Sequence, residues 1–253
     1  PPRSGSCAAV DQTGRTWVFG GYAEEADGSR AVVNDVWVYD GPGTEGSEGG
    51  WSLVQPHADD YKRGLLIDYS TRPRSRLVSA AVVAEHELLV IGGWDPGLEG
   101  DGGEILEDVW ALDLETQEWS KCDSPLPRGP SSRHVACNVN GVVVCHTFRC
   151  VDTVLVWDPK TRAFKEQPTT GDAPSSRGLH AAAVSPTHPN SMVIFGGAAK
   201  SGEMVNDVYV LNTATWTWQS VETSVKFAQS LPWKDGPSPR AGSCACGVGG
   251  SRP

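Results

Sequence analysis

Trp17-Val18-Phe19-Gly20-Gly21 ends on a glycine pair, and the phrase returns twice. Leu89-Val90-Ile91-Gly92-Gly93 is the second copy and Val193-Ile194-Phe195-Gly196-Gly197 the third. An acidic turn and a second apolar phrase follow each one: Asn34-Asp35-Val36-Trp37-Val38-Tyr39-Asp40, Glu107-Asp108-Val109-Trp110-Ala111-Leu112-Asp113, and Asn206-Asp207-Val208-Tyr209-Val210-Leu211-Asn212. An internal repeat of this length decides the architecture before any single residue suggests a chemistry.

Two further anchors keep step. An arginine and a small-residue strand precede each glycine pair: Arg3 before Ser6-Cys7-Ala8-Ala9-Val10, Arg76 before Ser79-Ala80-Ala81-Val82, Arg177 before His180-Ala181-Ala182-Ala183-Val184. A tryptophan closes each copy: Trp51, Trp119 and Trp218. A worn copy reads Arg133-His134-Val135-Ala136, then Val142 to Thr147, then Val154-Leu155-Val156-Trp157-Asp158, then Phe164. His146-Thr147 stands there in place of the glycine pair, and Phe164 replaces the tryptophan. A further opening begins at Arg240 with Ser243-Cys244-Ala245.

Each copy holds four short runs of β-branched and aromatic residues split by Gly, Pro, Asp and Asn turns, which predicts a four-stranded meander. In Asp35 to Asp40 both alternating faces are apolar. A strand of that kind is covered on both sides, as it is between stacked sheets. Sheets packed face to face around an axis make a propeller. The alanine-rich first strand suits a crowded axis, and the glycine pair permits positive φ or close backbone approach. No long segment carries helical periodicity.

The phased Arg, Gly-Gly, aromatic-Asp and Trp pattern resembles the Kelch repeat over nearly the whole chain. The arginine intervals (3 to 76, 76 to 133, 133 to 177 and 177 to 240) scatter about the roughly 50-residue Kelch period. The expected fold is therefore an all-β Kelch-type β-propeller of four-stranded antiparallel blades. About four blades are complete and a fifth is begun, with repeats near 1–71, 72–128, 129–172, 173–236 and 237–253. A first strand of the fifth blade is expected around Ser243 to Gly247. Kelch rings usually close with about six or seven blades, so an incomplete ring is expected, with blade faces and strand edges left open to association. The chain opens inside one arginine phrase and closes inside another, so a segment of a longer protein is expected.

The chain has 253 residues, enough for one large all-β domain with a core. Its net charge of −10 disfavours non-specific nucleic-acid binding. No apolar run is long enough to span a membrane as a helix. Seven cysteines, several within apolar strand phrases, point to buried thiols in a reducing compartment, hence an intracellular protein, cytoplasmic or nuclear. Acidic loops are expected at Ala23 to Arg30 and Gly97 to Glu107. Long links are expected at Val54 to Thr71 and Glu222 to Gly236, where specificity would sit.

Few constellations suggest chemistry. Cys145, His146 and Cys150 match no standard zinc spacing, and Cys145 is read at a strand-two position held by Phe or Ile in other copies. His180 takes the slot of Ser6, Ser79 and Ser243, which implies a hydrogen-bonded structural role. Asp35, Asp108 and Asp207 recur once per blade, which fits a turn or cap better than a catalytic carboxylate. Galactose oxidase shares the blades, but its tyrosine and histidine copper ligands have no counterpart among Tyr22, Tyr39, Tyr61, Tyr69 and Tyr209. Kelch nitrile-specifier proteins carry a Glu-x-x-x-Asp-x-x-x-His iron site. Glu104 and Asp108 fit its first half, but Leu112 takes the histidine's place.

The resemblance thus implies a non-enzymatic scaffold that presents loops to a protein or peptide partner, with no cofactor or metal and no role with nucleic acid or membranes. The alternative is a Kelch-type enzyme, oxidase-like or a metal-dependent specifier, with its site at the channel mouth. Arg3, Arg76, Arg133, Arg177 and Arg240 are the candidate partner-binding residues. Set at one blade position, they would ring the channel mouth and offer planar forks to an acidic peptide. The competing account has each arginine held by a carboxylate of the chain itself.

Overall fold

A computed structural model describes residues 1–24, 28–41, 49–57, 70–97, 102–222 and 237–247. Every regular element among them is a strand, and the strands form four meanders in chain order, antiparallel but for one two-residue parallel pairing in the last. Blade 1 holds β1 (Arg3–Ser4), β2 (Cys7–Val10), β3 (Thr16–Glu24), β4 (Arg30–Asp40) and β5 (Gly50–Gln55). Blade 2 holds β6 (Ala80–Ala84), β7 (Glu87–Asp95), β8 (Glu104–Asp113) and β9 (Trp119–Lys121). Blade 3 holds β10 (Val135–Val139), β11 (Val142–His146), β12 (Thr153–Asp158) and β13 (Ala163–Pro168). Blade 4 holds β14 (Thr170–Gly171), β15 (Arg177–Gly178), β16 (Ala181–Val184), β17 (Ser191–Ala199), β18 (Met204–Asn212) and β19 (Thr217–Val221). Four-stranded antiparallel sheets repeated in this order are the blades of a Kelch-type β-propeller.

The glycine pairs shape the hairpins. The register of β3 with β4 shifts between Phe19 and Gly21, and the same shift falls between Ile91 and Gly93 and between Phe195 and Gly197. All six glycines have positive φ, from 50° at Gly92 to 113° at Gly93. A Cβ on Gly93 would lie 2.9 Å from the Ser79 side chain and 3.1 Å from the Leu77 carbonyl. Both properties of glycine are needed at once: a bulge conformation and room for strand one. The bulge lets the hairpin run on, so β3, β7 and β17 each span nine residues while β11, which lacks the pair, spans five. The hairpins run into the ends of the two expected acidic loops, through Ala23, Glu24 and Arg30 and through Glu104 to Glu107. Residues 25–27 and 98–101 lie outside the described residues, as do 58–69 of the first long link and 223–236 of the second.

The chain forms two compact units, Pro1–Ser132 with Pro159–Ala163, and Arg133–Asp158 with Phe164–Pro253. In the first, the blade 1 face carrying Cys7, Phe19, Val36 and Val38 packs on the blade 2 face carrying Val83, Leu88, Val90 and Leu112. In the second, Val139, Val144 and Val154 of blade 3 pack on Met192, Ile194 and Leu211 of blade 4. Apolar residues on both faces of each sheet are what such stacking requires.

The Arg240 opening repeats the hydrogen bonds of the earlier ones. Gly197 N–H donates to Arg240 O at 2.9 Å, as Gly21 N–H donates to Arg76 O at 3.0 Å. The expected strand at Ser243 to Gly247 is not there: these residues carry no strand pairing, although Gly247 lies against the Val184 carbonyl.

Candidate functional site

Three of the sequence anchors, the arginine, the glycine pair and the aspartate, meet in one device. Arg76 lies between blade strands with its side chain 0% exposed. Its Nη1 donates to Asp108 Oδ1 at 2.5 Å and to Gly92 O at 3.0 Å, and its Nη2 to Asp108 Oδ2 at 2.9 Å. Trp110 Nε1 donates to the same carboxylate at 2.8 Å. Arg3 repeats this with Asp35 (2.8 and 2.9 Å) and Gly20 O (3.0 Å), and Trp37 Nε1 donates to Asp35 Oδ2 at 2.6 Å. Arg177 repeats it with Asp207 and Gly196 O, its Nη2 2.9 Å from Asp207 Oδ2. Tyr209 stands where the tryptophan is, and the Arg177 guanidinium lies 5.3 Å over its ring instead.

The clamp explains why arginine, glycine pair and aspartate recur together. The arginine fork needs a bidentate carboxylate and an exposed carbonyl, and the glycine bulge turns that carbonyl inward. The aspartates serve these arginines rather than cap a turn. Burial disfavours the charged form of Asp108, but hydrogen bonds and charge from Arg76, with the Trp110 N–H, outweigh it and hold the carboxyl below its ordinary range. Arg3, Arg76 and Arg177 are thus each engaged by a carboxylate of their own repeat.

Arg133 and Arg240 differ. Hydrogen bonds across strand-one openings fix the register: Val78 N–H donates to Gly5 O, Leu179 N–H to Arg133 O, and Gly242 N–H to Leu179 O, each at 2.8 Å. Gly5, Val78, Arg133, Leu179 and Gly242 all have positive φ, between 51° and 72°. Arg133 therefore sits two residues past the clamp position, which in this repeat belongs to Ser131. Ser131 O accepts from Gly93 N–H at 2.8 Å, as Arg76 O does from Gly21 N–H. Threonine, at Thr153, takes the aspartate's place in the same repeat. The Arg133 side chain is exposed, with no ion pair among the described residues. Arg240 holds the clamp position but is exposed, its guanidinium bonded only to Ser238 O (3.0 Å) and Ser238 Oγ (2.9 Å) among the described residues.

The worn repeat is also displaced by one residue from its sequence reading. Val135 pairs with His146, as Cys7 pairs with Phe19, Ala80 with Ile91 and Ala181 with Phe195. His146, not Cys145, thus holds the large apolar position of strand two, and Thr147-Phe148 follows where the glycine pair would be. His146 is 1% exposed and its Nδ1 lies 3.0 Å from Nε2 of His180, itself 3% exposed. The His180 Nδ1 is buried with no hydrogen-bond partner. Burial, then the charge of Arg177, pushes His146 down to about 3. Burial and the charges of His146, Arg177 and His134 push His180 well below its ordinary value. Both rings are held neutral. Periodicity gave no signal for this pair, because the two residues come from different blades.

No group of three or more His, Cys, Asp or Glu among the described residues has a metal-binding arrangement. All seven cysteines are free thiols, with Cys145 and Cys150 buried. No helix among the described residues is long and apolar enough to cross a membrane.

Blades of this order, three of the four locked by an Arg–Asp clamp on a glycine bulge, define a Kelch-type propeller. Comparison with known proteins agrees. The Kelch motif model matches residues 79–126, and the KLHDC2/KLHL20/DRC7 Kelch-repeats domain model matches residues 144–252. The chain belongs to the Kelch-repeat family. It is 28% identical over 223 residues to Kelch domain-containing protein 2 of Bos taurus, covering 87% of this chain and 42% of that one. It is 28% identical over 149 residues to Rab9 effector protein with kelch motifs of Xenopus laevis, covering 54% and 38%. It is 27% identical over 167 residues to Acyl-CoA-binding domain-containing protein 6 of Oryza sativa subsp. japonica, covering 60% and 24%. The chain spans about a quarter of the length of the first relatives it matches. The family supports an interaction scaffold with a protein partner in general terms.

Proposed function

We propose that the chain is a Kelch scaffold whose strand-one openings receive an acidic peptide or loop of a protein partner, with Arg133 and Arg240 as the contacting cations. The observation that carries this is the division among the five arginines. Arg3, Arg76 and Arg177 already hold a carboxylate, whereas Arg133 stands outside the clamp position, exposed and with no carboxylate among the described residues. The backbone chain from Arg133 through Leu179 to Gly242 brings both cations to one row of openings. A relative named as a Rab9 effector supports a protein partner of some kind. Free thiols are in keeping with an intracellular setting, cytoplasmic or nuclear. The enzymatic alternative gains nothing: Leu112, where the specifier motif needs its histidine, is fully buried in the core.

The test is fluorescence anisotropy with a labelled hexaglutamate peptide at low salt. Charge-assisted contacts of about 1.5–3 kcal/mol each predict roughly 10- to 150-fold weaker binding for Arg133→Ala or Arg240→Ala, with melting temperatures unchanged. Binding that ignores both substitutions, or no binding by the wild-type chain, overturns the reading.

A further inference from the structure

Past the clamp, three of the blades carry one further cross-strand row. In blade 1 it is Ser4, Tyr22 and Val32, and in blade 2 Leu77, Trp94 and Ile105. In blade 4 the same row is Gly178, Ala198 and Met204. Opposed residues of an antiparallel sheet share a face. Along β17, Ala198 is in phase with Met192 and Ile194, which pack on blade 3, so this row looks toward blade 3.

The row is filled in blade 2 and bare in blade 4. Leu77 and Trp94 are large and half-buried. A glycine and an alanine take their places in blade 4, and Met204 at the far end is 53% exposed. The hairpin of blade 3, which the row faces, is also the short one, its β11 ending at His146.

The contact across the opening is reversed as well. Val78 N–H donates to Gly5 O and Leu179 N–H to Arg133 O, so Gly5 and Arg133 hold equivalent places. At the first junction, between blades 1 and 2, a Cβ on Gly5 would lie 3.2 Å from that of Leu77. At the second, between blades 3 and 4, the glycine is on the other side: a Cβ on Gly178 would lie 3.6 Å from that of Arg133. The Arg133 side chain therefore starts over the bare end of the row, and it is exposed. The result is a shallow groove with a cation at one end, a methionine at the other and a floor of Gly178 and Ala198.

We propose that this groove selects the partner peptide by two side chains. A carboxylate pairs with Arg133, and an aromatic ring two residues further on lies over Ala198 against Met204, in the place that Trp94 fills in blade 2. The proposal rests on the acidic-peptide reading above and adds the ring to it. Arg133 has no carboxylate of the chain among the described residues, so an acidic partner supplies the complementary charge. Adjacent strands lie about 4.8 Å apart, which sets the midpoint of Ala198 and Met204 about 7 Å from Gly178, the spacing of side chains i and i+2 in an extended peptide. A thioether is also a favourable neighbour for a ring.

Fluorescence anisotropy at low salt tests this with two labelled peptides, Glu-Glu-Glu-Ala-Trp-Gly and its ring-free version Glu-Glu-Glu-Ala-Ala-Gly. The ring-bearing peptide should bind about 10-fold more tightly, and Arg133→Ala should weaken both. Ala198→Trp, which copies blade 2 into blade 4, should cut that difference to less than about threefold and leave the ring-free peptide unaffected. Met204→Ala, at an exposed site, should do the same and serves if Ala198→Trp lowers the melting temperature. Equal binding of the two peptides, or a ring preference that survives both substitutions, overturns this proposal and leaves the acidic-peptide reading standing. No binding of either peptide, or binding indifferent to Arg133→Ala, overturns that reading and this proposal with it.

Discussion

The buried His146–His180 pair predicts that the protein loses stability in mild acid, before its carboxylates titrate. In the native state both rings are neutral, enclosed by protein and faced by Arg177, with His134 acting on His180. In the unfolded chain a histidine has its ordinary value of about 6.5. Below that value the unfolded state binds protons that the native state refuses, so stability falls as pH falls and the loss continues toward pH 3. Above about pH 7 the contribution is level. Between pH 7 and pH 5 each such histidine costs about 2 kcal/mol, or about 4 kcal/mol for the pair. That is a large share of the roughly 5–15 kcal/mol that holds a domain folded. Urea unfolding followed by tryptophan fluorescence at pH 7, 6 and 5 measures it. The control is the double substitution His146→Phe with His180→Ser, which recreates the Phe19 and Ser79 of the first junction. It should flatten the curve between pH 7 and 5 while leaving the steeper loss below pH 4, where Asp108 and the other carboxylates take up protons. An unchanged slope between pH 7 and 5 in the double variant would refute the reasoning.

Two other perturbations have defined outcomes. Arg76→Ala or Arg177→Ala leaves a partly buried carboxylate and a glycine carbonyl without their cation. Each should cost about 3–5 kcal/mol in thermal or urea unfolding, against less than about 0.5 kcal/mol for Arg133→Ala; equal losses for Arg76 and Arg133 would contradict the clamp. Maleimide labelling followed by mass spectrometry should modify Cys244 and Cys246 within minutes and the other thiols only on unfolding. Burial pushes Cys137 up to about 12 and Cys7 and Cys122 up to about 11, and holds Cys145 higher than its ordinary value. Rapid labelling of Cys145 in the folded protein would count against the buried strand positions.

The blades were legible because two signals are local. Alternation with apolar residues on both faces marks a covered strand, and the glycine pair marks the bulge at the end of strand two. The limits of the hairpins were less legible. Ala23 to Arg30 and Gly97 to Glu107 are polar enough to look like loops, yet the pairing runs into them as far as Glu24 with Arg30 and Asp95 with Glu104. In the worn repeat the sequence reading slipped, by two residues at Arg133 and by one at His146. The clamp gives the reason. Its arginine needs the aspartate, and both need the carbonyl that the glycine bulge presents, so losing one member removes what held the others. In this repeat Ser131, Thr153 and Thr147-Phe148 stand in all three places, and no anchor remains to set the phase. The nearest arginine, Arg133, lies two residues on from the empty clamp position, and His146 lies just before the place of the lost glycines. The same loss accounts for the two features most distinct from the other blades. An arginine outside the clamp has no carboxylate to hold it and faces solvent at the strand-one opening. A hairpin without its bulge ends early, and the polar side chain at its last core position needed a polar neighbour, which the next blade supplies as His180.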